Sequence, residues 1–141
     1  MFGVVPKPLW SKAHPTDDRN RCDWGLRSLL IEEGHRLMLV DCGMGDKQGE
    51  KFFSHYAPRP QDLDDQLSAL GYHRGDITDV FLTHLHFDHC GGAIRRRADD
   101  PERFEPAFEN ATFWSTERHW QWANAPNPRE KASFLKENIH P

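Results

Sequence analysis

Thr83-His84-Leu85-His86-Phe87-Asp88-His89-Cys90-Gly91-Gly92 follows directly on the apolar run Val80-Phe81-Leu82. Four side chains able to ligate a metal, His84, His86, Asp88 and His89, fall within six residues of it. Imidazole together with carboxylate suits zinc, iron or manganese. Side chains two apart share a face in extended backbone, so a turn leaving a buried strand projects His84 and His86 to the same side. Asp88 and His89 come from the next part of the turn and can face a second ion beside the first. Gly91 and Gly92 are expected to supply the backbone conformations that a tight loop requires. The order H-x-H-x-D-H, its apolar run-in and its glycine exit agree with one another, which a chance group of surface polar residues would not.

The rest of the chain is compatible with a small enzyme domain. Its 141 residues suffice for one domain with a real core. The hydrophobic content of 37% and charged content of 28% predict a soluble globular protein. The formal charge of -4 leaves no electrostatic footprint for nucleic acid. The one basic cluster, Arg95-Arg96-Arg97, is followed at once by Asp99 and Asp100 and reads as a self-neutralised surface. No apolar run approaches the length of a membrane span, and Met1 to Trp10 lacks the apolar core of a signal peptide. Three unevenly spaced cysteines, Cys22, Cys42 and Cys90, argue against a disulfide framework and fit a reducing cytoplasm. Cys42 and Cys90 read best as small buried hydrophobes.

Outward from the motif, Met1 to Pro8 is expected to form an edge strand or arm. Trp24 to Ile31 and Arg36 to Val40 form the strands of a hairpin around Glu32-Glu33-Gly34-His35. The second strand ends in Asp41-Cys42-Gly43-Met44-Gly45-Asp46. Asp41 reads equally as a turn-former bonded to its own backbone and as a carboxylate that orients a metal-ligating group. Helices are predicted over Lys47 to Tyr56 and from about Gln61 to Leu70, the latter stopped by Gly71. The next strand, Val80 to Leu82, delivers the motif, so strand, helices and strand make a βαβ crossover. Gly92 to Arg95 reads as a short helix and Asp99 to Glu105 as a charged excursion. Ala111 to Trp114 is a strand, and Thr116 caps a helix that runs to Trp122. Trp114, Trp120 and Trp122 read as a packing cluster in the core or at an interface. A last helix starts at Asn127-Pro128, with Phe134 and Leu135 facing inward.

Thr83 to His89, with the upstream hairpin and Leu39-Val40-Asp41-Cys42-Gly43-Met44-Gly45, resembles the metallo-β-lactamase-fold hydrolase superfamily. The flanks, from Val5 to Trp10 and around Trp120, look like its lactonase-type or uncharacterised bacterial branch. The resemblance implies an α/β fold of the αββα sandwich type, with metals at one edge of the two sheets. It implies that His84 and His86 bind a first metal, that Asp88 and His89 serve a second, and that Asp41 supports the site from behind. Zinc, one or two ions, is the implied cofactor, with iron or manganese as alternatives. Asp88 is the implied catalytic residue, orienting a metal-activated water for attack on an ester, lactone, thioester or related bond of a small-molecule substrate. The substrate-binding residues are not legible.

The family domain normally continues well beyond this length and adds a further histidine, a bridging carboxylate and a late histidine. Downstream of the motif stand His119, inside the aromatic helix, and His140, next to Pro141. Neither sits in the family's strand-end context. Residues 1–141 are therefore expected to form a single, truncated domain, the N-terminal half of the fold, with an incomplete site and a sheet face left open to self-association. Two other readings keep the motif with different chemistry: a non-catalytic remnant or interaction module, and an iron-dependent redox member of the same fold.

Overall fold

Leu29–Glu33 (β1) and Arg36–Val40 (β2) pair antiparallel across Gly34-His35 in the computed structural model, which describes residues 2–59 and 63–141. Gly34 takes φ 60°, the left-handed value that two-residue hairpin turns demand. The first strand is shorter than the apolar pattern predicts. Its partner among the described residues, β2, spans five residues, which Leu29 to Glu33 already match one for one.

From β2 the chain crosses over through Glu50–Tyr56 (α2) and Leu63–Ala69 (α3) to Asp79–Phe81 (β3), which lies parallel to β2. This is the expected βαβ unit. Pro60, Gln61 and Asp62, where the second helix is predicted to start, lie outside the described residues. Gly71 closes that helix at φ 85°. A further strand, Thr112–Trp114 (β6), adds parallel to β3, giving one sheet in the order β1-β2-β3-β6.

The strand register sorts the side chains to two faces. Leu30, Leu39 and Val80 stand opposite one another on one face, and Leu39 and Val80 are fully buried. They join Leu67 of α3 with Ile77 and Phe108 in the core. On the other face the row Leu29, Val40, Phe81 and Trp114 is largely open.

Three expectations are corrected. The N-terminal arm is not a strand: Pro6 is extended and opens a single helical turn, Lys7–Trp10 (α1), with Phe2 stacked on Trp10 at 4.4 Å. Proline preset for the first turn of a helix explains the change. After the one-turn helix Phe87–Cys90 (α4) and a 3₁₀ turn at Gly91–Ala93, the chain forms a strand, Ile94–Arg96 (β4). It pairs with Phe104–Pro106 (β5), where a charged excursion is expected from sequence. A cross-strand ion pair, Arg95 to Glu105 at 2.8 Å, joins the two. The three tryptophans do not pack in the core. Trp114, Trp120 and Trp122 are each more than 40% exposed, and their polar edges go to separate partners. Trp114 Nε1 donates to Asp79 and Trp122 Nε1 to Glu130, while Trp120 packs on His140.

Thr116 does cap the next helix, Glu117–Asn124 (α5), its hydroxyl accepting from the His119 amide. The last helix is a single turn, Lys136–Ile139 (α6), preceded by buried Phe134. Two arginines of the basic cluster are paired with acids, Arg97 with Asp99 at 2.7 Å and Arg95 with Glu105, while Arg96 donates to the Lys47 and Pro101 carbonyls.

Candidate metal centre

The motif leaves the end of β3, one of the two interior strands of the sheet, flanked by β2 and β6. Leu82 and Leu85 are buried, and the alternating His84 and His86 stay partly open. Leucines at those positions anchor the loop to the core, so the histidines project together. Their ring centroids lie 4.7 Å apart. α4 then returns His89 to within 3.9 Å of His84, ring to ring, with Asp88 Oδ2 3.7 Å from His89 Nε2. The turn therefore brings His84, His86, Asp88 and His89 into one patch.

Asp41 stands behind that patch. Its residue is 8% exposed and its backbone is left-handed at φ 58°, a conformation that aspartate tolerates better than most residues. The carboxylate accepts from the Thr83 amide at 2.9 Å and from the Thr83 hydroxyl at 2.7 Å. It also meets His89 Nδ1 at 2.8 Å. A carboxylate only accepts, so His89 carries its proton on Nδ1 and leaves Nε2 as the free donor atom. The Thr83 hydroxyl has one proton and gives it to Asp41, so its 3.2 Å contact with His84 Nδ1 is accepted from the ring. One buried carboxylate thereby sets the tautomer of two histidines.

Burial pushes the His84 imidazole below its ordinary pKa, and the neighbouring His89 and His86 add to the effect. Burial does the same for His86. Both rings are biased toward the neutral form, the one that can bind a metal. Among the described residues, no group of three or more His, Cys, Asp or Glu side chains is arranged as a ready metal cage. The donor chemistry nonetheless fits a borderline divalent cation: neutral imidazoles, one carboxylate, and a hydrogen-bonded carboxylate fixing ring orientation.

The loop after β2 forms the other wall of the frame. Cys42 N–H donates to the His89 carbonyl at 2.8 Å, and Gly92 N–H to the Gly43 carbonyl at 3.1 Å. A Cβ on Gly91 would lie 2.1 Å from the Met44 carbonyl oxygen, and one on Gly92 2.1 Å from that of Cys42. Neither glycine takes a positive φ. The sequence reading of these two positions is corrected here: close backbone approach requires glycine, not an unusual dihedral. Cys42 and Cys90 are buried thiols, as expected. Burial pushes the Cys90 thiol up to about 12, and Cys42 is shifted the same way for the same reason.

Matched against known families, residues 27–101 fit the metallo-beta-lactamase superfamily. The chain belongs to that superfamily. A probable metallo-hydrolase of Mycobacterium tuberculosis is 36% identical over an alignment covering 72% of this chain and 36% of that protein. A probable metal-dependent hydrolase from Staphylococcus aureus superposes with a TM-score of 0.83 at 32% identity, covering 98% of this chain and 48% of its own. The dizinc quorum-quenching lactonase AidC, solved in complex with a product, superposes with a TM-score of 0.56 at 25% identity, covering 79% and 38%. The chain thus spans about a third of the length of the curated relative and about half that of the staphylococcal hydrolase. No helix among the described residues is long and apolar enough to cross a membrane.

Two further residues reach the motif: Lys47, which has no signal in the sequence, and His119, which stands downstream outside the family's strand-end context. Lys47 is 2% exposed, and its ammonium donates to the Gly91 carbonyl. Burial pulls its pKa down to about 8. His119 reaches the motif from α5, accepting at Nε2 from the Leu85 amide at 2.8 Å. His140 does not approach the motif; it bonds Asn124 and packs on Trp120. An open recess of about 420 Å³, lined by His14, Asp17, Arg21, Cys22 and Tyr56 among others, lies on the α2 side. Tyr56 links it to the motif, with its ring 4.9 Å from Phe87.

Proposed function

We propose that this chain carries the metal-binding loop of a metal-dependent hydrolase that uses an activated water on an ester, lactone, thioester or related bond of a small molecule. The observation that carries the reading is the patch of His84, His86, Asp88 and His89 at the end of the central strand, with one buried carboxylate fixing two of the rings. In this reading His84 and His86 hold one ion, and Asp88 and His89 serve a second. Zinc is the favoured ion, and iron or manganese would use the same donors. A cation held there would supply Lewis acidity and lower the pKa of a water toward neutrality.

The chain's own residues set the rest. Asp41 holds the His89 Nδ1 proton, so Nε2 points outward as a donor. Thr83 passes the same orientation to His84. In this reading Asp88, partly open beside His89, would also orient the attacking water. The lactonase relative strengthens the ester and lactone end of the substrate range. The lengths of the relatives leave the activity of the whole protein within this proposal.

Each proposed ion has two protein donors among these four residues, whereas catalytic zinc ordinarily takes three plus water. Zinc uptake is therefore expected to be weak and turnover slow. The test is a zinc titration of the metal-free chain, followed by His84, His86 and His89 ring resonances, with hydrolysis assays on lactone, thioester and phosphoester panels. Saturable shifts confined to those rings, lost in His86→Ala, are the expected result. Ring resonances that ignore zinc at millimolar concentration would overturn the proposal.

A further inference from the structure

We infer that His119 is a positioning residue for the metal-binding loop, acting through the Leu85 amide. The inference rests on the reading of the loop given above. His84 and His86 flank Leu85, and the amides at Thr83 and Leu85 bracket His84 along the same loop. Thr83 N–H is taken by Asp41 at 2.9 Å. Leu85 N–H is taken by His119 Nε2 at 2.8 Å. Asp41 arrives from the end of β2 and His119 from α5, so the ligand-bearing stretch is held by side chains from both flanks of the sheet.

The contact needs a particular state of His119. An acceptor nitrogen carries no proton, so the ring is neutral with its proton on Nδ1. The ring is set by packing at 5.9 Å from Phe134, which itself packs at 4.8 Å against His86. The His119 ring also stands 6.1 Å from His84. Its backbone is fixed by the Thr116 cap at the start of α5. Leu85 is 3% exposed, so no solvent stands ready to replace the acceptor. Without it the buried amide would be left unpaired, and the stretch between the two histidines would be free to rotate.

Two substitutions separate hydrogen bonding from packing. His119→Phe keeps a ring against Phe134 and removes the acceptor. His119→Gln places a carbonyl oxygen near the position of Nε2 and restores it. Leu85 amide exchange in the metal-free chain is read beside exchange at Cys42, whose amide bonds the His89 carbonyl elsewhere in the frame. Zinc affinity is read by competition with a chromophoric chelator. In His119→Phe, Leu85 exchange is expected to rise about tenfold with Cys42 unchanged, for one lost hydrogen bond. Zinc affinity is expected to fall about tenfold, in the range seen for groups that orient ligands. His119→Gln should recover most of both. Unchanged Leu85 exchange in His119→Phe, or a His119→Gln that behaves like His119→Phe, would overturn the inference. If the unaltered chain takes up no zinc, the proposed function fails, and the Leu85 exchange comparison alone decides the role of His119.

Discussion

Asp41 accepts from Thr83 twice and from His89 once, at a left-handed backbone position. Asp41→Asn keeps the local backbone but presents an amide that cannot accept every one of these bonds. The variant is expected to lose about 1–2 kcal/mol of stability and about tenfold or more in zinc affinity. Asp41→Ala should lose roughly a further 1 kcal/mol, because alanine is strained at positive φ. Urea unfolding and chelator competition measure both, and an Asp41→Asn protein with unaltered zinc affinity would refute the orienting role. Lys47 offers a second test at this scale. Its folded pKa is lowered to about 8 by burial, whereas an unfolded lysine titrates near 10.4 (about two units higher). Between those values the unfolded chain binds more protons, so stability rises with pH there. The rise should appear in urea midpoints between about pH 8 and 10.5 and vanish in Lys47→Met. Equal slopes in the two proteins would show that Lys47 does not titrate in that window.

At the scale of elements, the site is a contact between two loops. The loop from Cys42 to Lys47, after β2, and the turn from His89 to Gly92, after α4, touch backbone to backbone. Gly92→Ala would force a Cβ to within 2.1 Å of the Cys42 carbonyl oxygen unless the loops part. Its cost is expected to be about 3 kcal/mol, the upper range for overpacking. Gly75→Ala, whose nearest neighbour would be 3.7 Å away, should stay within about 0.5 kcal/mol. Thermal unfolding of the pair decides it, and equal melting temperatures would exclude a tight loop contact. Much at this scale is legible in the sequence. The hairpin, the βαβ crossover and the Thr116 cap follow from local periodicity and local chemistry. β4 and β5 are not legible, because each spans three residues with only Ile94 buried, too short a run to show an alternation.

For the molecule as a whole, the open sheet face is the main consequence of the architecture. Leu29, Ile31, Phe81 and Trp114 are 58%, 39%, 41% and 47% exposed and lie together on one side of the sheet. A contiguous apolar face of this kind favours association. Interrupting it is an ion pair of buried Asp79 with the half-exposed Arg36 at 2.6 Å, joined by Trp114 Nε1. The Arg36 guanidinium beside Asp79, with the Thr78 hydroxyl, holds that carboxyl well below the usual carboxylate range. We propose that the chain self-associates through this face. Sedimentation velocity is expected to show concentration-dependent association that Phe81→Lys weakens. A monomer at all concentrations up to about 100 μM, a range where weak interfaces show, would refute it.

The sequence by itself determined the superfamily, the α/β order of elements up to the motif, and the four residues, His84, His86, Asp88 and His89, that the fold gathers into one patch. These are legible because ligand chemistry and strand-exit spacing are local properties of the chain. Asp41 stood balanced between two roles in the sequence, and tertiary contact with Thr83 and His89 supports the orienting one. Only the fold brought Lys47 and His119 to the motif, from 44 and 34 residues away along the chain. Lys47 has no periodicity or spacing that marks it, and His119 stands out only as a histidine downstream of the motif, with nothing to show which backbone group it meets. Their placement depends on where β2 and α5 pack against the central strand, and that is decided by burial of the whole core rather than by any segment of it.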